Sequence, residues 1–173
     1  MYSSSDSLER IARPIYLIAL LLVVTPLADF ITSVWPIQPA EMRWRFASTA
    51  LLAGFLFTPL IGSLIGVVLA AFMEQRMVLR VIGLLNVLAA AVLTLSLAAF
   101  AFDTLQLRRA VPPDAQAQFR TSAFRSVLKL VSAILASGWI GVDAIKLSRT
   151  LGNVAAARVK PRMSGPIVGS TGR

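Results

Sequence analysis

The residues able to do chemistry in this 173-residue chain are few and scattered. Asp29 has Thr25 one turn before it and Ser33 one turn after it, a spacing that places three oxygen-bearing side chains on one helix face. Thr25 and Asp29, with the amide of Asn86, form a candidate proton or cation site. The competing reading is a rim of ion pairs, because Asp29 and Asp103 fall at the same end of their segments as Arg43, Arg45, Arg108 and Arg109. Asp143 has Lys146 three residues on, spaced to pair along its own helix. Asp29 and Asp143 belong near opposite ends of their segments, more than about 10 Å apart along the axis, so they do not make a carboxylate pair. Neither histidine nor cysteine occurs. Their absence removes the best general base near neutral pH, the commonest metal ligand, thiolate nucleophiles, iron–sulfur ligation and disulfides. No nucleophile, base and orienting group converge, so no catalytic set, metal site, haem, pigment or other cofactor is expected, and the chain reads as a non-enzyme.

Any element that positions these residues must be apolar. The chain is 57% hydrophobic and only 14% charged, with a mean hydropathy of +0.75. Four long apolar stretches cover residues 14–34, 46–72, 81–102 and 127–147. Each has about the twenty residues that a helix needs to cross a hydrocarbon core of roughly 30 Å. The fold class expected is all-α, an integral membrane four-helix transmembrane bundle over residues 1–151, followed by a basic flexible C-terminal tail over 152–173. Pro26 spoils the best small-residue cleavage site, after Ala28, and the first stretch is long for a signal core, so it is expected to stay as a span.

Four spans put both termini on one side. That side carries Arg10, Arg13, Arg76, Arg80, Lys146, Arg149 and the basic tail, against Arg43, Arg45, Arg108, Arg109, Arg120, Arg125 and Lys129 on the other. Ten basic residues against seven favour cytoplasmic termini in a bacterial-type inner membrane. The uncharged centre of the last stretch, 130–142, is short, and a three-span alternative with the N-terminus outside scores better on charge, with 13 basic residues inside and 4 outside. Lys129 and Lys146 can snorkel outward from its ends, which keeps four spans preferred. Pro112 and Pro113 break the third connection, Asp114 can cap a new helix, and Phe119 and Phe124 with Arg120 and Arg125 fit either a surface helix or a linker packed on the bundle.

The strongest pattern lies in the second stretch, where Ala50, Gly54, Thr58, Gly62, Gly66 and Ala70 recur every fourth residue. Such a stripe lets helix backbones approach closely, the means by which membrane helices pack when burial no longer separates protein from lipid. Shorter versions are Ala133, Ser137 and Gly141, and Gly83, Ala90, Thr94 and Ala98. The stripe serves either the chain's own bundle or a partner. Pro26 and Pro59 each free a carbonyl four residues back and invite a kink, with the Thr25 and Thr58 hydroxyls available for local repair. Gly152-Asn153 resembles a helix stop, and the basic tail beyond it suits anionic headgroups.

The expected partners are therefore membrane lipids, together with another membrane protein or a second copy, and no nucleic acid. The function expected is a non-catalytic accessory subunit docking other transmembrane helices, for instance within a larger respiratory or photosynthetic-type complex. The alternative is a small carrier or channel component using Asp29 and its polar neighbours.

Overall fold

A computed structural model describes residues 4–159. These form five helices, α1 (Ser4–Ser33), α2 (Met42–Phe55), α3 (Phe57–Phe72), α4 (Arg76–Leu107) and α5 (Gln116–Val159). The protein is all-helical with several membrane-spanning segments. It departs from a plain four-helix bundle because three helices are each long and apolar enough to cross a membrane, while the second stretch is split. There α2 and α3 meet at Leu56 with a bend of 43°, and count as a fourth span only if taken together.

Two prolines invited kinks, and only one coincides with a break. Pro59 withholds the donor that the Phe55 carbonyl needs, just past the bend. Opposing attachments fit the same place: α3 packs mainly on α1, whereas α2 packs on α4 and α5. Pro26 lies inside the unbroken α1, which packs mainly on α3. Neither Thr25 nor Thr58 donates a hydrogen bond from its hydroxyl, so the expected local repair is not made among the described residues.

The turn between α3 and α4 is a tight Schellman-type stop. The Gln75 N–H reaches the Ala70 carbonyl at 2.9 Å, and the Glu74 N–H reaches that of Ala71 at 3.1 Å. Glu74 occupies the left-handed position, with φ 52°, where glycine is usual.

α4 and α5 share the most extensive contact in the molecule. Leu79, Asn86, Leu93 and Phe100 are buried on α4, and Ala123, Leu130, Ser137 and Ala144 on α5, each series stepping by seven residues. A seven-residue repeat keeps two helices in contact along a left-handed supercoil. The pairing is antiparallel, since Leu93 clusters with Leu130 and Leu79 with Ala144. At the crossing, the backbones touch. A Cβ on Gly83 would stand 3.0 Å from the Gly141 carbonyl oxygen, and one on Gly141 would stand 2.9 Å from that of Gly83.

α5 is one continuous helix of 44 residues, about 66 Å at the helical rise, so it extends well beyond a hydrocarbon core of roughly 30 Å. The segment before the fourth stretch forms the first turns of α5 and runs on into that stretch. Its Phe119 stacks on Phe46 at 5.3 Å, and Phe46 stacks on Phe100 at 4.8 Å, while Phe124 stays exposed. Among the described residues the Asp114 carboxylate caps nothing: the Ala115 and Gln116 N–H groups go to the Pro112 and Pro113 carbonyls. The helix also runs through Gly152-Asn153 to Val159, carried by the strong helix formers Ala155, Ala156 and Ala157. The remainder of the expected tail, 160–173, lies outside the described residues.

Candidate functional site: an apolar cavity and an exposed small-residue face

The rim at the α4–α5 turn is locked by one ion pair, the single one among the described residues. Arg45 reaches Asp103 through two parallel bonds, Nε to Oδ2 at 3.1 Å and Nη2 to Oδ1 at 2.9 Å, and gives Nη1 to the Pro39 carbonyl at 3.0 Å. Asp103 is only 5% exposed, so its charge depends on this fork. The lock ties the start of α2 to the end of α4, beside the Phe46 stack that reaches α5. Trp44 Nε1 donates to the Val34 carbonyl at 3.0 Å and secures the end of α1 to the same rim. Of the expected rim of ion pairs, Arg45 and Asp103 are joined. Asp29, Arg43, Arg108 and Arg109 remain exposed and form no ion pair.

The candidate proton or cation residues are not brought together. Thr25 and Asp29 share an exposed face of α1, where the Asp29 backbone carbonyl accepts from Thr32 Oγ1 and Ser33 Oγ at 2.9 and 2.7 Å. Asn86 sits on α4, buried to 6% exposure, and donates its Nδ2 to the Ile82 carbonyl at 2.9 Å. The backbones of α1 and α4 do not approach each other, and α1 meets the start of α4 through the Tyr16 hydroxyl, which donates to Gln75 Oε1 at 2.8 Å. At the opposite rim Asp143 and Lys146 are both exposed and do not pair. Most hydroxyls in the spans bond inward to their own helix. Thr94, Ser96 and Ser132 each donate to the carbonyl four residues back, at 2.7, 2.9 and 2.9 Å, instead of bridging to a neighbour.

The small-residue stripe of the second stretch divides at the bend. Gly62, Gly66 and Ala70 on α3 are buried. A Cβ on Gly62 would stand 2.7 Å from the Ala19 carbonyl oxygen of α1, and one on Gly66 would stand 3.1 Å from the Ile82 side chain of α4. Ala50 on α2 is half-buried, while Gly54 and Thr58 are exposed, with nothing within 4 Å of where a Gly54 Cβ would lie. Half of the stripe is thus used inside the chain, and half faces outward.

Because α1 leans on α3 and its backbone does not approach that of α4, a cavity of about 590 Å³ opens between them. Leu20, Val23 and Leu27 of α1 and Ile82 and Leu85 of α4 supply apolar walls, and Gly62 and Gly66 lie on the α3 side. No charged side chain lines it; Asn86 and Ser137 are among its few polar groups. These two belong to the same layer of the α4–α5 seam, one seven-residue step from the Leu93–Leu130 layer. The cavity could not be read from the sequence, since its lining comes from all five helices. The seam itself left a signal, the seven-residue spacing of Leu79, Asn86, Leu93 and Phe100, which a search for every-fourth-residue stripes passes over. Among the described residues no group of three or more acidic, histidine or cysteine side chains could hold a metal ion. No known protein-family model, curated protein or solved structure matches this chain.

Proposed function

We propose that the chain is a non-catalytic, membrane-embedded accessory subunit that docks other transmembrane helices, with both termini on the cytoplasmic side of a bacterial-type inner membrane. The observation that carries this is the outward half of the small-residue stripe. Gly54 lies open on α2 with Leu51, Phe57, Thr58 and Ile61 exposed around it. A glycine inside a helix lowers helix stability by about 1 kcal/mol relative to alanine. Facing lipid it returns nothing, whereas against a second helix it permits the close backbone approach that Gly62, Gly83 and Gly141 make within the chain. A second membrane protein and a second copy of this chain both fit such a face.

The absence of cysteine makes the test direct. A Gly54→Cys variant, purified in mild detergent after crosslinking in the native membrane, is expected to give an adduct with another transmembrane helix, identified by mass spectrometry. Gly54→Leu is expected to abolish copurification of that partner while leaving the chain folded. Monomers alone, with no adduct at position 54, would overturn the proposal.

A further inference from the structure

The cavity between α1, α3 and α4 has the features of a ligand site, independently of the outward face of α2. Its volume of about 590 Å³ falls within the roughly 300–1,000 Å³ of small-molecule sites. At about 30 Å³ per water-sized group, it holds on the order of twenty such groups. A transmembrane helix about 10 Å wide and 30 Å long occupies roughly 2,400 Å³, so a partner helix does not fit inside it.

Four polar residues line the cavity: Tyr16 gives its hydroxyl to Gln75 Oε1 at 2.8 Å, Ser63 is half-buried, and Ser137 and Asn86 are the two that are buried. Ser137 is 3% exposed and Asn86 is 6% exposed. The Ser137 hydroxyl makes no hydrogen bond among the described residues, and Asn86 uses only one Nδ2 proton, on Ile82, leaving its Oδ1 without a partner. No buried polar side-chain atom is sealed off without a partner, so both free groups open onto the cavity they line. The other polar hydroxyls of the α4 and α5 spans, those of Thr94, Ser96 and Ser132, are quenched by their own backbones. A hydrocarbon chain filling the space would leave the Ser137 hydroxyl proton and the second Asn86 Nδ2 proton unmatched in a medium without water, an arrangement that folded proteins avoid.

We propose that this cavity binds a neutral, largely hydrocarbon molecule carrying a carbonyl or hydroxyl group, whose oxygen accepts from the Ser137 hydroxyl and the free Asn86 Nδ2 proton while its apolar body lies between α1 and α4. The absence of charge in the lining selects against ionised headgroups. The wall formed by Leu20, Val23 and Leu27 of α1 admits the ligand sideways from the bilayer, since α1 packs mainly on α3 and its backbone does not approach that of α4.

The test uses the full chain in phosphatidylcholine nanodiscs with two photoreactive probes of equal length. One is a long-chain alkanone and the other the corresponding alkane, each bearing a diazirine and a terminal alkyne. The alkanone is expected to label cavity residues such as Leu20, Val23, Ile82 and Leu85, with unlabelled alkanone competing and unlabelled alkane not. Ser137→Ala is expected to cut alkanone labelling about fivefold, as the loss of one hydrogen bond implies, and alkane labelling not at all. Asn86→Leu should do the same, and Ser137→Ala, which removes a single oxygen, carries the test if the larger change disturbs the seam. Equal labelling by both probes that neither variant alters would mean bulk acyl chains only, and would overturn the proposal. Alkanone labelling confined to the outer faces of α1 and α5 would overturn it as well.

Discussion

Gly138 and Gly141 lie three residues apart on α5, and the same substitution at each should have opposite effects. A Cβ on Gly138 meets nothing within 4 Å. One on Gly141 meets Val87 Cγ2 at 2.8 Å, the Gly83 carbonyl oxygen at 2.9 Å and the Val87 nitrogen at 3.0 Å, short of the 3.4 Å at which ordinary contact begins. The Val87 methyl can rotate away, but the two backbone atoms of α4 cannot, so the helices must separate by about half an ångström. Forced overpacking of this kind costs about 1–3 kcal/mol. Both substitutions gain the same helix propensity, about 1 kcal/mol, so the difference between them isolates the clash. Gly138→Ala should therefore be stabilised by up to about 1 kcal/mol, and Gly141→Ala should lie about 1–3 kcal/mol below it. Gly83→Ala presses on the same contact from the other side, and the double variant should lose less than the two singles together, because helices already separated accept the second methyl. The assay is reversible unfolding in mixed detergent micelles followed by far-ultraviolet circular dichroism. If Gly138→Ala and Gly141→Ala agree within about 0.5 kcal/mol, the backbone contact between α4 and α5 is not what holds the seam.

Gly62→Ala should loosen α1 selectively, because its Cβ, on the helix that α1 packs against most, would come within 2.7 Å of the Ala19 carbonyl oxygen of α1. Hydrogen exchange is expected to rise roughly five- to a hundredfold in α1 and stay level in the α4–α5 seam, matching about 1–3 kcal/mol of overpacking. Glu74→Gly should stabilise the chain by about 1 kcal/mol in the same unfolding assay, since φ 52° strains any residue with a Cβ; Glu74→Val should destabilise it. At the rim, Arg45→Met leaves the buried Asp103 carboxylate without its fork, so the single variant should be less stable than Arg45→Met with Asp103→Leu. A double variant no better than the single would show that Asp103 does not depend on Arg45.

Hydropathy is a local property, and what depends on it alone was legible in the sequence: helices as the elements, three or four spans, and connections following residues 34, 72 and 102. The absence of histidine and cysteine likewise narrowed the chemistry before any geometry was known. Packing inside a membrane is a different matter. Lipid is as apolar as leucine, so no hydrophobic contrast in the chain marks which face meets protein, and the decision passes to shape. Tertiary structure divided one uniform stripe of small residues just past Leu56, burying Gly62 and Gly66 and leaving Gly54 and Thr58 outside. It chose Arg45 from several arginines as the partner of Asp103, ran α5 through a glycine that read as a stop, and left α1 standing away from α4. The cavity that results exists only because segments more than a hundred residues apart, at Tyr16 and Ser137, line the same space.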